Sequence, residues 1–384
     1  MAESLRIGMV GHPTYGGSGV VAAELALYLA TQGCEVHFFS HDYPVRLLQN
    51  GADVFFHEVR PLDYPLFKHP PFELAFISRL LEVVRHHHLD LLHVHYAIPH
   101  AFIALSVKNI LHEEGIHLPF IVTLHGTDST LLGKDPSYHP VITHTLRHAD
   151  AITVVSKFLW EDCQRTFCLE RSPHVIPNFV NLNIFRPRYS KELRRRYAPD
   201  DVMLLIHVSN FRPVKRIDWV LDTFGEIRQH IACRLLMIGD GPEQGWAENY
   251  VRSMGWEQEV FFLGKMLDLA PYYSIADAFL LTSETESFGL AALEAMACST
   301  PVLAFSVGGL PEVVRHGQTG MLAPLGDRHA LAHHAVELWH DAARRQSMKS
   351  NARQWAEQFD VEQIAPQYTQ LYQNVTTSSA SPTP

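Results

Sequence analysis

Only 19% of the 384 residues are charged, and the five cysteines lie scattered at positions 34, 163, 168, 233 and 298. An odd number with no CxxC pair excludes a disulfide-stapled scaffold and a cysteine-based zinc module, and it predicts reduced thiols in a cytoplasmic protein. No run of 18 apolar residues is present, so no segment is expected to span a membrane. The opening MAESLRIGMV lacks a basic stretch ahead of a long apolar run, so no signal peptide is expected. Cations are short as well. Lys and Arg number 31 against 41 Asp and Glu, a formal net charge of −10 without the basic footprint of a general nucleic-acid binder. What the chain does have is 47% hydrophobic residues, enough for two or three domains of about 150 residues each. It also has 25 histidines, whose full protonation would carry the formal charge from −10 to +15 and make solubility and anion affinity sensitive to mild acid.

Short apolar runs alternate with segments of helical period, the pattern of βα units around parallel sheet. In the first half the strands are LRIGMVG (5–11), CEVHFFS (34–40), LDLLHVHYA (89–97), PFIVTLHG (119–126), AITVVS (151–156) and PHVIPN (173–178). Helices are predicted over 20–30, 72–88, 98–113 and 138–149. A second series, at 202–209, 233–241, 259–265, 277–283 and 300–307, follows the Pro- and Arg-rich connection 184–201. The strands are apolar at consecutive positions, as expected when helices cover both faces. The reading is α/β, with two Rossmann-like domains over 1–185 and 186–361. Residues 330–371 read as helical, with a last helix near 362–375 crossing back to the first domain, and the tail 376–384 is expected to be disordered.

Three stretches carry chemistry. After the first strand, Gly16, Gly17 and Gly19 precede a helix, which reads either as a backbone anion site or as a tight turn. HVSNFRPVKR (207–216) places Arg212, Lys215 and Arg216 at the carboxyl end of a strand, where an Arg with a Lys suits a diphosphate. In TSETESFGLAALEAMACSTPVLA (282–304), Glu286 follows a strand, Ser287 is placed to cap, and Glu294 sits in the following helix. About 10 Å of separation suits a sugar at one carboxylate and a ribose at the other. Taken singly, Glu286 reads as a helix-start charge and Glu294 as an ordinary helix-surface residue.

Glu286 to Glu294, continuing through AMACSTPVLAFSVGGLPEVV (295–314), resembles the E-x7-E region of the retaining glycosyltransferase family 4, whose architecture is GT-B: two Rossmann-like domains with parallel sheets facing a central cleft. YGGSGVVAAELA (15–26), LLHVHYAIPHA (91–101), TLHGTD (123–128), VIPNFV (175–180) and HVSNFRPVKR (207–216) are similar to the branch that moves N-acetylglucosamine from UDP-N-acetylglucosamine to L-malate in bacillithiol biosynthesis. The resemblance reaches to about residue 375.

The resemblance implies roles. Glu286 would bind the transferred sugar and Glu294 the ribose, while the backbone of Ser287, Phe288, Gly289 and Leu290, with Gly17 from the first domain, would hold diphosphate and sugar. Lys215 matches the family's diphosphate lysine. Asn210 stands where the family usually has its arginine, and Arg212 lies nearby. His125 matches the active-site histidine, and Gly264 and Lys265 fall where uracil meets backbone. Gly17 and Lys215 serve one diphosphate from different halves, so closure is expected. Negative charge grows on the leaving diphosphate, and Lys215, Arg212 and helix-start amides suit its stabilisation. Neither a metal nor another cofactor is expected.

Malate's two carboxylates call for donors or cations in the first domain. Ser18, Tyr96, Thr123, Thr127 and Asn178 qualify by position, with Arg46 and Arg147 as carboxylate partners or plain surface charges. His86, His87 and His88 read as a helix end, His93 and His95 as core or cleft, and Cys298 as a small buried residue. Nucleic acid and membrane are not expected partners, and a homo-oligomer stays open. Other readings remain: a different family acceptor, a sugar-nucleotide epimerase or hydrolase, or a non-catalytic nucleotide-sugar sensor.

Overall fold

The computed structural model describes residues 4–14, 16–50, 53–62, 66 and 68–379, and Tyr15 of the glycine motif and residues 380–384 of the expected tail lie outside them. The chain divides into two compact units, 1–178 with 361–384, and 179–360.

The first unit carries β1 (Arg6–Val10), β2 (Glu35–Ser40), β3 (Val54–Glu58), β4 (Leu91–His95), β5 (Phe120–Leu124), β6 (Ala151–Val154) and β7 (His174–Val175) in the order β3-β2-β1-β4-β5-β6-β7. The second carries β8 (Met203–Val208), β9 (Cys233–Ile238), β10 (Val260–Gly264), β11 (Ala278–Leu281), β12 (Val302–Phe305) and β13 (Gly320–Ala323) in the order β10-β9-β8-β11-β12-β13. Every pairing is parallel. Both sheets therefore follow the doubly wound order, with the strand sequence reversing between β1 and β4 and between β8 and β11. Those reversals open a crevice at the carboxyl ends of the strands. The strands β4, β5, β11 and β12 are buried at every position, which is why they read as unbroken apolar runs.

Two boundaries differ from the sequence reading. Residues 179–185 join the second unit rather than the first: the Val180 N–H donates to the Phe359 carbonyl at 2.9 Å, and Phe185 lies 6.5 Å from the Tyr273 ring. The last helix runs Val361–Ser379, so 376–379 continue it instead of fraying. Its Tyr372 hydroxyl, 2.6 Å from His93 Nδ1, anchors it in the first unit's core. Two short strands were missed, β3 and β13, both too short or too polar to stand out as apolar runs.

Candidate functional site

In the second unit the site grows out of the end of β8. His207 donates from Nδ1 to the Leu280 carbonyl at 2.9 Å, so its Nε2 accepts from Ser209 Oγ at 2.8 Å. Burial lowers this imidazole to about 4, so it stays neutral and can keep that assignment. Ser209 Oγ in turn accepts the Phe211 N–H at 3.2 Å. The turn that results, with Phe211 at φ 37° and Arg216 at φ 50°, aims Lys215 back toward β11. The β11 loop is tied to it by the Glu284 N–H on the Val214 carbonyl at 2.9 Å and by Thr282 Oγ1 on the Arg216 carbonyl at 3.1 Å.

Lys215 Nζ then meets Glu286 Oε1 at 2.6 Å, and Ser283 Oγ donates to the same oxygen at 2.7 Å. Gly308, at φ 55°, lets its loop lie against the Glu286 backbone; a Cβ there would strike the Glu286 carbonyl oxygen, which accepts the Gly309 N–H at 2.8 Å. The helix Leu290–Ala297 starts at Gly289, φ 97°, without a side-chain cap. The cap position expected for Ser287 is thus taken by Gly289, and the first-turn amides of a helix have no acceptor within the helix itself. Phe288 is buried against Phe359, its rings 5.9 Å apart. Glu294 is buried, and Tyr273 OH donates to its Oε2 at 3.3 Å. Burial and the nearby Glu294 hold the Tyr273 phenol well above its ordinary value, so it remains a donor.

Asn210 and Arg212 are exposed on the β8 turn. Arg216 is engaged elsewhere, on Asp218 at 2.7 Å and over the Trp219 ring at 3.4 Å. Gly264 closes β10 at φ 67° and accepts the Gly239 N–H at 2.8 Å, and Lys265 pairs with Asp240 at 3.0 Å. Cys298 is buried, which pushes its thiol up to about 12.

In the first unit, Gly17 adopts φ 64° and opens the helix Ser18–Thr31, which has no side-chain cap and no acidic residue in its first turn. Ser18 Oγ donates to Tyr96 OH at 2.8 Å. His12, Tyr96, His100 and His125 gather around them, with His12 at 4.4 Å from His100 and 5.1 Å from Tyr96, and Tyr96 at 5.4 Å from His125. Asp128, fully buried, accepts the Ala97 N–H at 2.8 Å and the His125 N–H at 3.3 Å, and so joins the ends of β4 and β5. Burial outweighs these donors and pushes its carboxyl up to about 7.

His125 Nε2 lies 2.8 Å from His95 Nδ1, while His95 Nε2 is buried with no partner. A buried lone pair costs less than a buried unpaired N–H, so the proton sits on His95 Nδ1 and is donated to His125. His125 therefore carries its own proton on Nδ1. Burial, aided by His12, takes His125 down to about 3, so it is a neutral donor.

Several expected acceptor residues lie elsewhere. Thr123 is fully buried and its hydroxyl is used by His93 at 2.7 Å and Thr153 at 2.6 Å. Arg147, exposed, precedes β6 and so stands at the amino edge of the sheet, opposite the carboxyl ends. Arg46 is no surface charge: it is largely buried and lies 3.6 Å from Glu24. Thr127 is exposed in the short turn after Gly126, and Asn178 is buried with an unpartnered Oδ1. His93 is core. His88 closes the helix Phe72–His87 in the left-handed conformation, its N–H on the Val84 carbonyl at 2.8 Å. Sequence reasoning missed Asp128, Ser283, Tyr273 and Gly308; only the acid in TLHGTD offered a signal.

The family model described as "Glycosyl transferases group 1" matches residues 190–355, and that described as "Glycosyltransferase Family 4" matches residues 15–184. The chain is 39% identical over 373 residues to an N-acetyl-alpha-D-glucosaminyl L-malate synthase of Bacillus anthracis, covering 97% of each. It is 29% identical over 371 residues to a D-inositol 3-phosphate glycosyltransferase of Actinosynnema mirum, covering 88% of this chain and 85% of that one. Among solved structures, a sucrose-phosphate synthase from Thermosynechococcus elongatus superposes with a TM-score of 0.82 at 24% identity, covering 97% of this chain and all of that one. Anabaena HepE in complex with UDP-glucose gives a TM-score of 0.81 at 20% identity, covering 96% and 100%.

Proposed function

The chain belongs to the group 1 and family 4 glycosyltransferases, and on that premise we propose that it transfers N-acetylglucosamine from UDP-N-acetylglucosamine to the hydroxyl of L-malate with retention. The product is an α-linked N-acetylglucosaminyl L-malate, the entry compound of bacillithiol biosynthesis. The observation that carries this reading is the match to the malate synthase, 39% identical over 97% of both chains.

The second unit is assigned the donor. Glu294 takes the ribose hydroxyls, the Gly264–Lys265 backbone the uracil, and the first-turn amides of the helix Leu290–Ala297 with Lys215 the diphosphate. Charge grows on the leaving phosphate as the sugar bond breaks, so pre-aimed cations and amides lower the transition state more than the ground state. Arg212, exposed one turn away, is assigned an auxiliary cationic role. With those charges in place the transfer is proposed to need no metal. Glu286 is read as a holder of sugar hydroxyls, because its Oε1 already accepts from Lys215 and Ser283. The leaving phosphate oxygen takes the malate proton on the same face, which needs no carboxylate nucleophile.

The first unit is assigned the acceptor, with Ser18, Tyr96, Thr127 and Asn178 as its polar contacts and neutral His125 as a donor to the sugar. Thr123, Arg46 and Arg147 are withdrawn from that role. The five cysteines are free thiols, which fits a reducing compartment, and no helix among the described residues is long and apolar enough to cross a membrane.

The test is an acceptor panel: purified protein with UDP-N-acetylglucosamine and either L-malate or D-inositol 3-phosphate, followed by UDP release and mass spectrometry. Malate-dependent UDP with a glucosaminyl-malate product supports the proposal. Release driven by the inositol phosphate alone overturns it.

A further inference from the structure

At the amino edge of the first unit's sheet, away from the strand ends just described, three metal-ligating side chains converge. Glu35 and His37 lie two apart on β2 and so share one face of the sheet. His87 reaches them from the last turn of the helix Phe72–His87. Their ligand atoms all lie within 4.8 Å of one another, with His37 Nε2 at 2.8 Å and His87 Nδ1 at 3.7 Å from Glu35 Oε1. Donors on a tetrahedral zinc sit about 3.3 Å apart, given metal–ligand bonds of about 2.0–2.1 Å. The two separations from Glu35, 2.8 and 3.7 Å, therefore bracket that spacing before any ion enters.

His37 is held for this role. It is fully buried, its ring stacked on Phe55 at 5.0 Å, and its other nitrogen lies 2.8 Å from His57 Nε2. A partner on the second ring nitrogen is what orients a metal-bound imidazole. Glu35 and His87 are each about one-third exposed, leaving an entry path and an open coordination position.

We propose that Glu35, His37 and His87 form a binding site for a late first-row divalent cation of the zinc class, separate from the transferase site. Two imidazoles and one carboxylate are a donor set that zinc accepts, with solvent in the fourth position.

The network also predicts what opposes the ion. Arg79 can only donate, so His57 Nδ1, 3.2 Å away, accepts and His57 carries its proton on Nε2. That proton faces His37 Nδ1, which puts the His37 proton on Nε2, toward Glu35. Metal binding at Nε2 requires both rings to switch tautomer: His37 then donates from Nδ1 to His57 Nε2, and the His57 proton moves to Nδ1. No proton is lost from either ring. The guanidinium of Arg79 must then leave His57, and Glu82, 2.7 Å from Arg79 Nη1, gives it an alternative anchor. Arg79 thus acts as a gate on metal affinity.

A second trio, His333, His334 and Glu337, sits on one turn of the helix Arg328–His340. All three lie on one surface turn, none is buried, and their side chains must be ordered by the ion itself.

The experiment is titration of the chelator-treated full chain with Zn2+, by calorimetry and by competition with a chromophoric chelator. One ion is expected at Glu35–His37–His87. Glu35→Gln and His87→Ala, both at half-buried positions, should each weaken it at least about tenfold, while His333→Ala/Glu337→Gln leaves it unchanged and Arg79→Ala tightens it. Circular dichroism of each variant checks that the fold is retained. Absence of Zn2+ binding, or binding that survives both Glu35→Gln and His87→Ala, overturns the site; an Arg79→Ala variant that binds no tighter overturns the gate.

Discussion

Lys215 and Glu286, 71 positions apart in sequence, form a 2.6 Å ion pair across the point where the second sheet reverses its strand order. The cation assigned to the diphosphate is thus held by the carboxylate assigned to the sugar, and each is preorganised by the other. Lys215→Ala should lower kcat by about 10^2–10^3, the cost of removing one charge-stabilising donor. Steady-state UDP release measures it; a change below about threefold would remove Lys215 from the transition state.

Glu294 and Tyr273 bond in the interior of the second unit. Glu294→Ala should weaken UDP binding by about 1.5–3 kcal/mol, as expected for hydrogen bonds to a charged group. Calorimetry with UDP alone reads this directly, and unchanged affinity would contradict the ribose assignment.

His95 fixes the tautomer of His125 without being exposed itself. His95→Leu stays close in volume and removes an unpartnered buried nitrogen, so thermal stability should hold. The donor to His125 is lost, and kcat should fall about tenfold, in line with about 1.4 kcal/mol for one hydrogen bond. UDP affinity should not move. Equal losses in kcat and UDP binding would point to a general structural defect instead.

Buried histidines make the fold acid-labile. Burial brings His93, His100 and His125 to about 3 and His57 and His207 to about 4. These folded-state values lie below the ordinary 6.5, so the unfolded chain binds more protons. Their contribution is complete above about pH 6.5 and is lost as pH falls toward 3 to 4. Asp128, raised to about 7, acts oppositely: it favours the folded state at low pH and loses that contribution as pH rises through 7. Five rings outweigh one carboxyl. Thermal unfolding should therefore occur at clearly lower temperature at about pH 5 than at about pH 7.5, with uptake of several protons. An equal or higher Tm at the acid pH would refute this.

Much of this was legible in the sequence because covered parallel strands are apolar without interruption, as in FIVTL of β5 and AFLL of β11. Strand ends and helix period located Lys215, Glu286 and Glu294, but only the resemblance to family 4 glycosyltransferases set the two glutamates apart from ordinary helix charges. What stayed hidden depends on partners far along the chain. Nothing local to Tyr273 marks it as the donor to Glu294, and Gly308 looks like any loop glycine until the Glu286 carbonyl is seen against it. Thr123 misled because a strand-end hydroxyl looks available, yet His93 and Thr153 had already taken it. Arg147 is the surface charge that its place offered: the end of a helix that leads into β6 lies at the amino edge of the sheet.

The most direct test follows the anomeric carbon. UDP-N-acetylglucosamine labelled with 13C at that carbon is incubated with the protein and L-malate, and the product is observed by NMR. An α-linked glucosaminyl-malate formed one-for-one with UDP is the predicted result. A β-linked product, or UDP released at the same rate without malate, would contradict retaining transfer to that acceptor.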